Sequence, residues 1–290
     1  MPEPSQTLSI ILPAKNEAAA LPELLTRLRE LYPQAELLVV DDGSTDDTAG
    51  VAKTHGAKVI RHPYSLGNGA AVKSGARAAG SEILVFLDGD GQHDAGDIHV
   101  LLDTLRSGYD MVVGARSGGS QASWGRRIAN AIYNRLGSWM VGHRIGDLTS
   151  GFRAVRADCF REFLYLLPNG FSYPTTITMA FFRAGYHVAY VPITASKRIG
   201  KSHIRPLQDG VRFLLIIFKV GTLYSPFKIF LPVSFTFFVV GLGYYLFTFI
   251  TEHRFTNMSA LLFITSVLIF LIGLMSEQIT NLLYSNTNHG

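Results

Sequence analysis

The chain has 290 residues, which is enough for one large domain and a smaller element. Its 48% hydrophobic content is high for a purely soluble protein. The single cysteine, Cys159, excludes an internal disulfide and a multi-cysteine metal site, and it is typical of a reducing compartment. The first apolar run, residues 8–12, is too short for a signal-peptide core, so we expect no secretory signal.

The net charge of +4 is unevenly distributed along the chain. Residues 197–228 hold seven basic side chains against one acid, Asp209, so this band carries +6. A basic band just before an apolar tail indicates contact with a membrane surface or with lipid phosphate. A solvated basic helix face is the simpler alternative. No nucleic-acid-binding motif accompanies the band, so we expect no nucleic-acid partner.

Up to about residue 192, short apolar runs alternate with helical patterns, which is typical of an α/β fold with a mainly parallel sheet. The apolar runs predict buried strands at 8–13, 37–40, 58–61, 83–87, 110–113 and 187–192. Apolar periodicity, caps and breakers predict helices at 21–31, 97–106, 124–141, 155–167 and 174–184, one that runs on through Val51, and one that opens at the glycines of 67–69.

Acidic side chains follow two of the predicted strands. Asp41 and Asp42 come after 37–40, where they could accept hydrogen bonds from a base or a ribose. Asp88 and Asp90 come after 83–87, and alternate carboxylates can share one divalent cation. Ligands of open α/β sheets bind at the carboxyl ends of the strands. The pattern therefore predicts a nucleotide and metal site, with an acidic, glycine-rich turn as the alternative reading of Asp88 and Asp90.

The glycines of residues 67–69 precede a predicted helix, and a glycine-rich loop at a helix N-terminus can bind an anionic phosphate. The segment is not a P-loop, because the Gly-Lys-Ser/Thr ending is missing. It is not the dinucleotide-binding fingerprint either, because that motif should follow the first strand. A phosphate contact near Gly69 is therefore a hypothesis.

The carboxyl-terminal part of the chain predicts a membrane anchor. Residues 207–219 have the apolar spacing of an amphipathic helix lying in the membrane interface. Residues 229–251 and 255–276 contain no charged side chain, and each exceeds the roughly 20 residues of a transmembrane helix. Two buried core helices are the alternative. We expect a catalytic domain at 1–203, an amphipathic juxtamembrane helix at 204–226 and a transmembrane hairpin at 227–290.

The two spans form a hairpin, so both of its ends face the same side of the membrane. Lys219 and Lys228 flank the first span on the domain side, whereas the turn between the spans carries one arginine and one glutamate. The positive-inside tendency therefore predicts an integral membrane protein whose catalytic domain faces the cytoplasm.

Seven segments, taken in order, resemble the family 2 inverting glycosyltransferases with the GT-A fold. They are residues 13–17 (PAKNE), 41–46 (DDGSTD), 67–70 (GNGA), 88–93 (DGDGQH), 114–116 (GAR), 147–153 (DLTSGFR) and 191–194 (VPIT). The most similar branch is that of the polyprenyl-phosphate glycosyltransferases, which includes the dolichol-phosphate mannose synthases. The resemblance covers about residues 7–205. It implies a Rossmann-like, mainly parallel GT-A domain, and the tail is similar to that of the same branch.

The resemblance also implies roles for individual residues. Those expected to line the donor pocket are Pro13, Asn16, Glu17, Asp41, Asp42, Gly69, Asp88, Gly89 and Ser202. Those expected to hold Mg²⁺ or Mn²⁺ are Asp88, Asp90 and Gln92. Besides Asp90, those expected to act directly in transfer by neutralising phosphates are Arg116, Arg127 (or its neighbour Arg126), Arg153 and Arg198.

Two segments depart from the pattern of the branch. Ser202 is followed by His203 where the motif usually continues with lysine, which puts a phosphate contact there in doubt. Residues 171–176 lack the glutamate that dolichol-phosphate mannose synthases usually carry in that stretch. The identity of the sugar, and mannose in particular, therefore does not follow from the resemblance.

The implied reaction is the transfer of a hexose-type sugar, with inversion, from a UDP- or GDP-sugar to a polyprenyl monophosphate such as undecaprenyl or dolichyl phosphate. A divalent cation would stabilise the leaving diphosphate as a Lewis acid. The acceptor oxygen is already anionic at neutral pH, so a general base is not obligatory. Arginines suit bidentate phosphate contacts and would let the two anions approach.

Three alternatives share parts of this pattern. Transfer to a hydroxyl group of another membrane lipid would need a base. A non-catalytic nucleotide-sugar-binding membrane protein would bind without turnover. A processive polysaccharide synthase should carry a Gln-x-x-Arg-Trp motif, which is missing from the sequence. Membrane lipids are expected partners, and homo-oligomerisation is left open.

Overall fold

The computed structural model describes residues 7–89, 91, 93–116, 124–170, 173–193, 218 and 221–285, without the side chains of 124–130 and 283–285. The chain divides into two compact units, Met1–Ile204 and Arg205–Gly290. Most of the predicted amphipathic helix at 204–226 lies outside the described residues, so that prediction stays open.

In the first unit, the described residues form a seven-stranded sheet with the order β3-β2-β1-β4-β6-β5-β7. The strands are β1 Leu8–Ala14, β2 Glu36–Asp41, β3 Lys58–Arg61, β4 Ile83–Phe86, β5 Met111–Arg116, β6 Arg153–Arg156 and β7 Val188–Ile193. Neighbouring strands run parallel except at β6, which is antiparallel to both β4 and β5. The expected mainly parallel sheet is confirmed. Its central strands are buried on both faces, which explains why they read as continuous apolar runs.

The helices of this unit cover the sheet. They are α1 Leu21–Leu31, α2 Thr48–Thr54, α3 Asn68–Ala78, α4 Ile98–Arg106, α5 Trp124–Val141, α6 Ala157–Glu162 and α7 Tyr173–Arg183. On α1 the buried positions are Leu21, Leu24, Leu25 and Leu28, which join the core beneath β1 and β2. Most predicted helices agree with these bounds to within a few residues, because their apolar periodicity matches the face that the sheet buries.

The region of residues 153–167 differs from the prediction. The sequence predicted a helix at 155–167, whereas the chain forms β6 at Arg153–Arg156 and then the short α6. Strand β6 has arginine at both ends, so it lacks the apolar run that marked the other strands. It is held between β4 and β5, and this tertiary pairing overrides local sequence preference.

The second unit contains two long helices, α8 Pro226–Glu252 and α9 Asn257–Ser285. Helix α8 ends at Glu252, and the next residue, His253, has a left-handed backbone (φ 51°) in the turn that the sequence predicted at 252–254. Both helices are long and apolar enough to cross a membrane, with mean hydropathies of 1.8 and 2.5, and only 11% and 17% of the apolar stretches are buried. Such exposure argues against two core helices of a soluble protein.

Small residues let α8 and α9 approach closely. The hydroxyl of Ser234 donates to the carbonyl of Ser266 (2.8 Å), and the hydroxyl of Ser266 donates to the carbonyl of Ser234 (2.9 Å). A Cβ on Gly273 would lie 2.6 Å from the Cβ of Phe230, so only glycine fits there. Close contact through small residues and reciprocal hydroxyl bonds is typical of helix pairs in lipid.

Candidate active site

The candidate site lies at the carboxyl ends of β1, β2 and β4. The backbone N–H of Gly89 donates to the carbonyl of Pro13 (3.3 Å), and that of Asp42 donates to the carbonyl of Ala14 (2.9 Å). The three strand ends are therefore tied together directly after the ladder. Three of the segments that the sequence singled out meet at this edge of the sheet, as parallel pairing requires.

Asn16 and Glu17 join the loop after β1 to the loop after β2. The side-chain oxygen of Asn16 accepts from the backbone N–H of Thr45 (2.8 Å), and the N–H of Asn16 donates to the hydroxyl of Ser44 (2.9 Å). The N–H of Glu17 donates to the hydroxyl of Thr48 (3.0 Å). Asn16 has a left-handed backbone (φ 57°), a conformation that asparagine tolerates better than most residues. These contacts hold the loop after β1 and the loop after β2 together next to Asp42.

Asp41 is completely buried and stabilises the loop after β2. Its carboxylate accepts from the backbone N–H of Ser44 (2.9 Å). The Nε of Arg61 lies 3.2 Å from the other carboxylate oxygen, an ion pair without the angular geometry of a hydrogen bond. The side chain of Asp41 therefore holds the turn at 41–44 in place.

The carboxylate of Asp42 is buried and accepts four hydrogen bonds from the loop at 62–67. One oxygen accepts from the ring Nδ1 of His62 (2.7 Å) and the N–H of Leu66 (2.8 Å). The other accepts from the hydroxyl of Ser65 (2.7 Å) and the N–H of Gly67 (2.9 Å). Burial raises the pKa of this carboxyl, but the four hydrogen bonds outweigh burial and lower the pKa to about 2. Asp42 thus holds the loop at 62–67 against the carboxyl end of β2.

The glycines at the start of α3 make a contact that differs from the phosphate contact suggested by sequence. The N–H groups of Gly69 and Ala70 donate to carbonyls of the segment 168–170 (3.3 and 2.8 Å). A Cβ on Gly69 would lie 2.0 Å from a carbonyl oxygen of that segment, and one on Gly67 would lie 2.6 Å from another. The glycines are needed because two backbones touch here. Backbone N–H groups at the start of α3 therefore donate to carbonyls of the protein itself.

Asp88 is partly exposed at the end of β4. Its carboxylate lies against the turn at 147–153, since a Cβ on Gly151 would be 3.1 Å from a carboxylate oxygen. The guanidinium groups of Arg116 and Arg153 are near enough to interact with its charge. A carboxylate held at the open end of a strand, with a second one two residues later, is a donor set that suits Mg²⁺ or Mn²⁺.

Arg116, at the end of β5, is paired with Asp147. Its Nε lies 2.8 Å from one carboxylate oxygen of Asp147 and a terminal nitrogen lies 3.1 Å from the other, while the same nitrogen donates to the hydroxyl of Thr149. Burial lowers the pKa of the guanidinium, but Asp147 outweighs burial, so the pKa of Arg116 is raised. Sequence reasoning quoted Asp147 in a motif without giving it this partner.

Arg153, the first residue of β6, is completely buried. Its guanidinium donates to the carbonyls of Ser150 and Pro174 (3.3 Å for the latter) and lies over the ring of Tyr173, 5.7 Å from the centroid. The structure thus places Arg153 in the interior behind Asp88, whereas the sequence suggested a contact with phosphate. The reason is β6, which directs the side chain into the space beneath the 147–153 turn.

Several residues named from the sequence lie outside the described part of the chain. They are Asp90, Gln92, Arg198, Ser202 and the side chain of Arg127. Within the described part, no three His, Cys, Asp or Glu side chains cluster as a metal site would require. Two of the three proposed ligands are missing from that search, so the metal site stays a prediction.

The comparisons with known proteins match this architecture. Residues 9–164 match the family model described as "Glycosyl transferase family 2", and residues 225–282 match the "GtrB C-terminal hairpin". The chain belongs to glycosyl transferase family 2 and is a glycosyltransferase. The family, the enzyme class and the apolar hairpin expected from the sequence are confirmed.

The relatives include two glycosyltransferases whose names specify a lipid phosphate. The undecaprenyl-phosphate mannosyltransferase of Micrococcus luteus is 34% identical over 66% of this chain and 85% of that protein. The glycosyltransferase AglJ of Haloferax volcanii is 31% identical over 84% of this chain and 81% of its own length. The dolichyl-phosphate hexose transferase of the same organism is 29% identical over 73% and 93%.

Among solved structures, the fold is similar to that of glucosyl-3-phosphoglycerate synthase from Mycobacterium tuberculosis, crystallised with Mn²⁺, UDP-glucose and phosphoglyceric acid. The TM-score is 0.60 at 22% identity, over 75% of this chain and 80% of that one. This likeness confirms the GT-A-like fold. The hairpin associates this chain with a membrane.

Proposed function

We propose that the protein transfers a hexose from a nucleotide-sugar donor to a polyprenyl monophosphate at a membrane, with inversion at the anomeric carbon. The observation that carries the proposal is the union, in one chain, of a family 2 catalytic unit and a hairpin of the GtrB type. The names of the relatives, which specify undecaprenyl-phosphate and dolichyl-phosphate acceptors, support it.

The donor would bind at the carboxyl ends of β1, β2 and β4. In this proposal Pro13 and Gly89 form the floor, and the loop at 62–67, held by Asp42, forms a wall beside the nucleotide. Both UDP- and GDP-sugars fit this proposal. Asn16 and Glu17 act by joining the two loops that shape the pocket.

Asp88, Asp90 and Gln92 are proposed to hold Mg²⁺ or Mn²⁺. The position of Asp88 and the oxygen-rich donor set of this segment support the assignment. When bound, the cation would act as a Lewis acid on the leaving diphosphate. The chain's own contribution is to fix the Asp88 carboxylate against the turn at 147–153.

The acceptor phosphate needs cationic partners because two anions must approach each other. Arg127 and Arg198 are proposed to contact phosphates directly, and the partly exposed Arg116 lies at the same edge as Asp88. Arg153 is proposed as a positioning residue that holds the turn against Asp88. Since the acceptor oxygen is already anionic, no general base is assigned.

The catalytic unit is proposed to face the cytoplasm. Lys219 precedes α8 and Lys228 lies in its first turn, while the other end of α8 carries Glu252, followed in the turn by Arg254. The Arg254 guanidinium lies 2.8 Å from the Glu252 carboxylate, so the turn has little net charge. The positive-inside rule favours this orientation.

The test is transfer by purified, detergent-solubilised protein. Polyprenyl phosphate is offered with UDP- and GDP-sugars one at a time, in Mg²⁺ or Mn²⁺ and then with a chelator. We expect a sugar-phosphate lipid that requires the metal. A product on diacylglycerol but not on polyprenyl phosphate would overturn the acceptor assignment. Donor binding without any product would favour a binding protein.

A further inference from the structure

Arg116 lies near two acidic side chains but pairs with one of them. Within the described part of the chain, Asp147 and Asp88 are the acids whose charge acts on its guanidinium. Two of its nitrogens lie 2.8 and 3.1 Å from the carboxylate oxygens of Asp147. With Asp88, in contrast, it forms no ion pair within 4.0 Å. The guanidinium therefore binds Asp147 and not the proposed metal ligand.

The hydrogen-bond donors of Arg116 are divided between two edges of its guanidinium. A guanidinium has five N–H groups. Nε donates to Asp147, and the terminal nitrogen Nη2 donates to Asp147 and to the hydroxyl of Thr149. The other terminal nitrogen, Nη1, makes no hydrogen bond within the described residues. The pairing with Asp147 thus fixes the orientation of the whole group.

Thr149 strengthens this orientation. Its hydroxyl donates to a carboxylate oxygen of Asp147 (3.0 Å) and accepts from Nη2 of Arg116. Its backbone N–H donates to the same carboxylate oxygen (3.0 Å), which is the pattern of an Asx-turn. The three side chains form a closed ring of hydrogen bonds, so a rotation of the guanidinium would break several of them at once.

The turn at 147–149 is itself held by α5 and α7. The side-chain oxygen of Asn134 accepts from the N–H of Leu148 (3.0 Å), and its amide nitrogen donates to the carbonyl of Gly146 (2.8 Å). The hydroxyl of Thr175 donates to the carbonyl of Leu148 (3.3 Å). The acid that binds the guanidinium therefore sits on backbone that is fixed from two helices.

The pair is ionic and largely buried. The side chain of Asp147 is 6% exposed and that of Arg116 is 29% exposed. Burial raises the pKa of Asp147, but the hydrogen bonds and the charge of Arg116 outweigh burial, so the pKa is lowered and the carboxylate is ionised at neutral pH. Leaving one member of such a pair uncompensated is costly. A guanidinium that lost Asp147 would therefore be drawn to Asp88, the next acid.

We propose that Asp147 and Thr149 are positioning residues that hold Arg116 away from Asp88, so that Asp88 pairs with the divalent cation instead of the guanidinium. The inference rests on the proposed metal assignment and adds two residues to it. Because the cation and the guanidinium are both positive, a guanidinium paired with Asp88 would weaken binding of the metal there.

The experiment measures Mn²⁺ binding to the full-length protein in detergent by electron paramagnetic resonance, without nucleotide and with saturating UDP or GDP. Asp147→Asn removes the charge that binds Arg116, and we expect it to raise the Kd for Mn²⁺ about 10-fold. Thr149→Val removes a hydroxyl without changing any charge, and we expect an increase of about threefold. Thr149→Ser keeps the hydroxyl and should bind Mn²⁺ as the wild type does.

A double-mutant cycle separates the repositioning of Arg116 from the simple loss of a negative charge near the metal. Arg116→Gln removes the guanidinium, so adding Asp147→Asn to it should leave the Kd for Mn²⁺ unchanged. The matched control is Asp103→Asn. Asp103 pairs with Arg106 on the exposed surface of α4 (3.4 Å), and its replacement should not alter Mn²⁺ binding.

Two results would overturn this inference alone. One is a wild-type Kd for Mn²⁺ in both Asp147→Asn and Thr149→Val. The other is an equal effect of Asp147→Asn with and without the Arg116 guanidinium, which would reduce the role of Asp147 to its charge. Wild-type protein that binds no Mn²⁺ under any of these conditions would overturn the metal assignment and the inference with it. If Asp147→Asn fails to fold by thermal melting, the comparison of Thr149→Val with Thr149→Ser decides.

Discussion

At the scale of the residue, the buried carboxylate of Asp42 accepts four hydrogen bonds from the loop at 62–67. We expect Asp42→Asn to destabilise the catalytic unit by about 1–3 kcal/mol, because the amide cannot accept from all four donors and places an N–H against one of them. Denaturant titration of the detergent-solubilised protein measures this loss. Asp103→Asn, at an exposed position of α4, is the control. Equal midpoints for the two variants would contradict the assigned role.

The same carboxylate predicts a pH dependence. Its pKa in the folded protein is lowered to about 2, while an unfolded aspartate titrates near 3.9. The stabilisation, about 2 kcal/mol in full, is therefore present above about pH 4 and is lost as the pH falls towards 2. The difference in unfolding free energy between wild type and Asp42→Asn should accordingly shrink between pH 5 and pH 3. If the difference in unfolding free energy stayed constant between pH 5 and pH 3, the lowered pKa of Asp42 would be contradicted.

The proposed metal ligands give a prediction for activity. We expect Asp90→Ala to abolish transfer while the protein stays folded, because a proposed oxygen ligand of the cation is lost. Product formation is measured across a Mn²⁺ titration, and Mn²⁺ binding is followed by electron paramagnetic resonance. Asp103→Ala is the control for removing an acid elsewhere. Full activity of Asp90→Ala would rule out the assignment.

The arginines that lie outside the described side chains should act on the acceptor. Arg127→Ala and Arg198→Ala are expected to weaken acceptor use more than nucleotide binding, because their proposed partner is the acceptor phosphate. The KM for polyprenyl phosphate, the turnover and the Kd for UDP or GDP separate these effects. Arg77→Ala, on the exposed surface of α3, should change none of them. Unchanged acceptor kinetics in both variants would reject the role.

At the scale of the element, the junction between α3 and the segment 168–170 depends on glycine. We expect Gly69→Ala to destabilise the unit by about 1–3 kcal/mol, because its Cβ would lie 2.0 Å from a carbonyl oxygen and must displace the segment. Gly80→Ala is the control, since a Cβ there meets nothing within 4 Å. Thermal melting compares the two variants. A similar Tm for both would show that the segment 168–170 can move to accommodate the Cβ without loss of stability.

The contrast between these elements shows what the sequence could and could not predict. Apolar runs predicted β1, β2 and β4, and apolar periodicity predicted α1. These elements are recognisable from sequence because their own apolar residues are the ones that become buried. Strand β6 was missed because two neighbouring strands hold it in place. The partners of Gly69 and Arg153 were missed for the same reason, since both depend on segments distant in the chain.

At the scale of the whole molecule, the proposed sidedness of the enzyme can be tested at the turn of the hairpin. A cysteine at His253, in the turn between α8 and α9, should react with an impermeant thiol reagent added outside intact cells, because the turn is proposed to face away from the cytoplasm. A cysteine at Arg27, exposed on α1, should react only after permeabilisation. The opposite pattern would invert the proposed topology.

The loop held by Asp42 has a consequence for how a donor is selected. Since its anchoring bonds are made within the chain, the conformational entropy of ordering that loop is lost when the protein folds and not when a ligand arrives. In the proposed donor pocket, this loop is therefore a wall that is ordered before a ligand arrives. We expect donors that match its shape to bind without rearranging it.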